Sequence, residues 1–111
     1  MNSDPTLDKQ LRHIVLFGFK EGTRDDDIAE IARRFAALPD LIPGISGFEW
    51  GENNSPEGKN QGLSHCFLLT FETEVARDSY LPHPDHVAFA TWARQWIERV
   101  TVIDYWVNRS V

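Results

Sequence analysis

The sequence predicts an α+β fold: a ferredoxin-like, four-stranded antiparallel sheet with helices on one face. Three observations predict it. Segments of strand and helix period follow one another in the order β-α-β-β-α-β, with the second helical segment split in two. The first, third and fourth strand-like segments carry apolar residues at both alternations, so their sheet needs cover on both faces. The 111 residues suit one domain with one core and leave no room for two.

Each element has its own signature. Residues 1–10 are polar and acidic and read as a disordered tail. LRHIVLFGF, from Leu11 to Phe19, is the first strand, with Leu11, Val15, Phe17 and Phe19 on one side and Ile14 and Leu16 on the other. Glu21-Gly22 turns the chain. Thr23 is a candidate cap for a helix whose first turn holds Asp25, Asp26 and Asp27, favourable at the positive end of the helix dipole. Ile28, Ile31, Ala32, Phe35 and Leu38 form its apolar stripe, and Pro39 with Pro43-Gly44 should end it. ISGFEWG, from Ile45 to Gly51, is a second strand with Phe48 and Trp50 on one face. The polar segment ENNSPEGKNQG after it, Glu52 to Gly62, reads as a mobile hairpin loop. LSHCFLLTF, from Leu63 to Phe71, is the third strand. Thr73 to Tyr80 fits a short helix stopped by Pro82. A longer helix should run from Pro84 with Phe89, Trp92, Ala93, Trp96, Ile97 and Val100 on one stripe, before a last strand from Thr101 to Val107.

Composition limits the function classes. The formal net charge is −6 and the 11 basic residues are scattered, which argues against nucleic-acid and anionic-membrane partners. No apolar run approaches the roughly 20 residues of a membrane span, and the start lacks a signal-peptide core, so a cytoplasmic location is expected. Cys66 is the one cysteine, which excludes an internal disulfide and a cysteine zinc cluster. It reads as a small buried residue and not as a nucleophile, having no evident basic neighbour to lower its pKa.

A sheet with helices on one face leaves the other face bare. Each apolar side chain left in water forgoes roughly 1.5–3 kcal/mol, so several together rival the whole stability of a domain, about 5–15 kcal/mol. A second copy is the simplest cover, and two such sheets face to face would close a dimeric α/β barrel with the helices outside.

The stretch SYLPHPDHVAF, residues 79–89, holds the densest chemistry. Proline at 84 suits the first helical position and disfavours a helical His83, so His83 should be the cap and play a supporting, structural part. His86 then falls in the first turn, where the helix dipole and burial should hold its imidazole neutral near pH 7, able to accept a proton. It lies on the stripe of Phe89, while Tyr80 takes the inner face of the short helix, so a phenol and an imidazole converge. They form either a ligand-binding or catalytic pair, or a hydrogen-bonded helix junction. His13 and His65 are in phase with the large apolar residues of their strands; they join the same pocket or sit near one end of the barrel. No metal site is expected, because the His83 and His86 rings need not face together and Cys66 alternates away from His65.

Taken in order, LRHIVLFGFK, IPGISGFEWGENNS, GLSHCFLLTFE and YLPHPDHVAF with the closing VIDYW resemble the stress-responsive dimeric α/β barrel (Dabb) family, from Leu11 to about Val107. The resemblance implies a ferredoxin-like domain over 11–107 and a barrel-forming homodimer. Most members have no assigned reaction, and some plant members are heat-stable stress proteins that assemble into larger rings. One plant member closes a linear polyketide by an aldol-type step without a metal. Its proposed acid/base pair lies in the same Tyr-x-x-His-Pro-x-His stretch, at positions that match Tyr80 and His86; His13 and His65 match further histidines of it. The expectation is a homodimer with a small apolar pocket at Tyr80 and His86, bordered by His13, His65, His83 or Phe89. It would bind a small apolar or carbonyl compound without a cofactor, or turn such a compound over with His86 as base and Tyr80 as acid.

Overall fold

The computed structural model describes residues 9–110, so the expected tail lies outside the described residues apart from Lys9 and Gln10. The elements are β1 (Leu11–Phe19), α1 (Asp25–Leu41), β2 (Ile45–Glu52), β3 (His65–Phe71), α2 (Glu74–Tyr80), α3 (Pro84–Ala93) and β4 (Ile97–Trp106). The strands form one antiparallel sheet in the order β2-β3-β1-β4.

Period-two alternation sorts the strands into two faces. Leu11, Val15 and Phe17 of β1 and Phe67, Leu69 and Phe71 of β3 are buried with Ile31, Phe35 and Leu38 of α1, Tyr80 of α2 and Phe89 of α3. Phe35 is the hub, its ring centroid 4.9 Å from that of Phe67 and 4.7 Å from that of Phe89. The opposite face carries Ile14, Leu16, Cys66 and Leu68, all partly buried, and Ile103 and Tyr105, about half exposed.

Four departures from the sequence expectations bear on how the elements begin and end. Thr23 does not cap α1: its hydroxyl donates to the Lys20 carbonyl at 2.6 Å, closing the preceding turn. Arg24 takes the cap position and donates its N–H to the Asp27 carboxylate at 3.0 Å. Pro39 does not end α1, because in the last turn its missing N–H forfeits one hydrogen bond only, and the helix runs on to Leu41. β3 begins at His65, since Leu63 is used in a turn, its N–H donated to the Asn60 carbonyl at 2.9 Å.

The fourth departure is the largest. α3 stops at Ala93 and β4 starts at Ile97, so Trp96, Ile97 and Val100 do not extend a helical stripe. β1 offers ladder positions as far as Phe19, and Ile97 and Val100 pair there with Phe19 and Phe17. A two-faced nine-residue strand gains more from a long partner than the helix gains from a further turn. Gly44, at φ +93°, turns the chain into β2 close against α2: a Cβ there would come within 2.5 Å of the Ala76 Cβ.

Candidate functional site

Two short helices meet at residues 80–86. Thr73 caps α2 by accepting the Ala76 N–H at 3.0 Å. His83 caps α3, its Nδ1 accepting the Asp85 N–H at 3.1 Å, with Pro84 as first helical residue. His83 thus takes the cap position expected of it. Between the helices the Leu81 carbonyl lies 2.9 Å from His86 Nδ1. A carbonyl only accepts, so a neutral His86 carries its proton on Nδ1 and leaves Nε2 with the basic lone pair.

Tyr80 and His86 do converge, with ring centroids 4.2 Å apart. Both line a cavity of about 250 Å³ whose walls are otherwise mainly apolar, including Phe17, Phe89, Val100 and Val102. Tyr80 is 0 % exposed, and its hydroxyl has no hydrogen-bond partner among the described residues. Burial pushes the phenol well above its ordinary pKa, so it is protonated and able to donate. Burial also lowers the pKa of His86, helped by the nearby His13 and His83 and opposed by the Leu81 carbonyl. The direction is the one expected from sequence, and burial is its first cause.

His13 joins this cavity from β1, its ring 5.8 Å from that of Tyr80. Its orientation comes from two residues that the sequence reading did not single out. His13 Nδ1 lies 2.7 Å from Asp104 Oδ1, and the other oxygen of Asp104 accepts from Arg77 Nη1 at 2.6 Å. Because a carboxylate accepts, Nδ1 of His13 carries a proton and faces Asp104. One signal for Asp104 was present: an acid in phase with Val100 and Val102 along the strand. Nothing local pointed to Arg77.

His65 does not join them. It lies at the far end of β3, opposite Phe17, with Ser64 Oγ 2.8 Å from its Nδ1. It borders a separate cleft of about 510 Å³ under the 52–64 segment, and burial lowers its pKa. Phe89 is both core and cavity wall. Burial raises the Cys66 thiol, as for an inert cysteine. Among the described residues no group of three His, Cys, Asp or Glu side chains could hold a metal ion, and no helix is long and apolar enough to cross a membrane.

Known proteins share this architecture. Residues 11–107 match the family described as the Stress responsive A/B Barrel Domain (Dabb). The chain is 39% identical over 95 residues to the stress-response A/B barrel domain-containing protein HS1 of Arabidopsis thaliana, covering 86% of this chain and 87% of that one. It is 26% identical over 95 residues to olivetolic acid cyclase of Cannabis sativa, covering 86% and 94%. A solved structure from Jannaschia sp., described as a dimeric ferredoxin-like protein of unknown function, superposes with a TM-score of 0.77 at 26% identity, covering 88% of this chain and 99% of that one. With 11–107 matched out of 111 residues, the chain belongs to the stress responsive A/B barrel domain family.

Proposed function

We propose that the protein is a cytoplasmic homodimer whose subunits each bind a small apolar, carbonyl-bearing molecule beside Tyr80 and His86. The observation that carries this reading is the Tyr80 hydroxyl. A buried hydroxyl left unsatisfied costs about 1–3 kcal/mol, and this one has no partner among the described residues while its residue lines an apolar cavity. The carbonyl oxygen of a bound molecule would complete its hydrogen bond. The bare sheet face supports pairing with a second copy, as does the dimer described for the Jannaschia protein.

The test is a thermal-shift screen of small apolar ketones against the wild type and Tyr80→Phe. A ketone should raise the melting temperature of the wild type and raise that of Tyr80→Phe less. The unliganded variant should melt no lower than the wild type, because it loses an unpartnered hydroxyl. Equal shifts in both proteins, or no shift with any ketone, overturn the reading.

A second reading, cofactor-free catalysis, is favoured by the free Nε2 of His86 beside a protonated phenol, and by the cyclase among the relatives. His86 Nε2 would take a proton alpha to a carbonyl while Tyr80 donates a hydrogen bond to the enolate oxygen. The enolate carbon would then attack a second carbonyl of the same molecule, and its oxygen would receive the proton from His86. A bound ketone in D2O should exchange its alpha protons, and His86→Ala should slow this about 10²-fold or more. Exchange no faster than in protein-free buffer rules out the catalytic reading.

A further inference from the structure

We propose that the ligand of this cavity carries a carboxylate, held at the cavity mouth by Arg94. The proposal rests on the cavity being a ligand site and adds the chemical class of the ligand's other end. The cavity is graded in exposure: Tyr80 and Ala93 are fully buried, while Val100 and Val102, on the edge strand, are about half exposed and mark the opening. Arg94, the exposed residue that ends α3, stands on that lining beside them.

Most of the other arginines have side-chain partners. Arg33 and Arg34 pair with Glu30, Arg77 pairs with Asp78 and Asp104, and Arg99 donates to the Gln61 carbonyl. Arg94 has no ion pair and no side-chain hydrogen bond among the described residues, and no aspartate or glutamate lines the cavity. In a chain of net charge −6, this wall holds one permanent cation and two imidazoles and no acid. Such a wall favours an anion. A guanidinium also matches the planar fork of a carboxylate.

Size limits the molecule. About 250 Å³ corresponds to roughly eight water molecules of liquid volume, hence a ligand of about eight to ten non-hydrogen atoms. Arg94 follows His86 by eight residues, about 12 Å along a helix at 1.5 Å per residue. A short keto acid fits this volume, and with its carbonyl at Tyr80 the long, flexible Arg94 side chain would reach back along the helix to its carboxylate.

Binding of 2-heptanone and of 6-oxoheptanoate to the intact protein, followed by NMR titration at low salt, separates the two claims. The oxo acid should bind about two- to fivefold more tightly than the ketone, the range of an ion pair at a solvated rim. That advantage should vanish in Arg94→Gln and at high salt, while 2-heptanone binds the variant unchanged. If the ketone binds and the oxo acid binds no better, or keeps its advantage in Arg94→Gln, the Arg94 assignment is wrong and the cavity reading stands. If neither molecule binds, both fall together.

Discussion

His86 owes its chemistry to where its two nitrogens lie. Nδ1 is committed to the Leu81 carbonyl, and burial lowers the pKa of the ring. The sign of the pH dependence follows. A histidine with a depressed folded-state pKa binds fewer protons when folded than when unfolded, so its contribution to stability is intact above the unfolded value, about 6.5. It is lost as the pH falls from there through the folded value. His65, also lowered by burial, adds to the same loss. NMR titration of the four histidines should place the midpoints of both below about 6.5, and melting temperatures should decline on acidification through that region. A His86 midpoint at or above the unfolded value would contradict the neutral-base assignment. Sequence spacing sufficed to pair Tyr80 with His86, because both lie within one short segment whose prolines fix the helix starts. It could not join Asp104 to His13, 91 residues away, or to Arg77, 27 residues away.

At the scale of elements, local pattern succeeds where one solution satisfies it and fails where two compete. β1 matches its expected span residue for residue, since nine residues apolar on both alternations suit nothing but a central strand. The 96–100 segment satisfies both a helical stripe and a strand, and pairing with β1 decides for the strand. The hairpin segment shows a smaller version of the same contest. Glu52 was expected in the loop but belongs to β2, and Asn53 donates its N–H to the Ser64 carbonyl at 2.7 Å. Between them and Leu63 no backbone–backbone bond is donated by residues 54–62. Hydrogen exchange should therefore be fast across 54–62, slower at Asn53, and slowest at Val15 to Phe17 in the sheet centre. Equal protection of the hairpin and β1 would show that the loop is held by contacts other than these.

For the molecule as a whole, the governing fact is a sheet with one face covered. Ile103 and Tyr105 are 52% and 44% exposed on the bare side, beside partly buried Ile14, Leu16 and Leu68. A dimer closed over this face should appear in native mass spectrometry as a species of twice the 12.7 kDa chain, or an even multiple. Leu68→Asp should shift it toward monomer and lower the melting temperature, because a charge buried between two sheets is left unpaired. A folded wild-type monomer at low micromolar concentration would refute the pairing. The layout of the cavity has an evolutionary consequence. The phenol and imidazole come from a seven-residue stretch, while the surfaces that give the cavity its shape come from β1, α1, α3 and β4. Inheritance can thus preserve the pair while drift in distant strands reshapes what fits beside it. Kinship through the shared motif is therefore a guide to how a molecule would be handled, and a poor guide to which molecule it is.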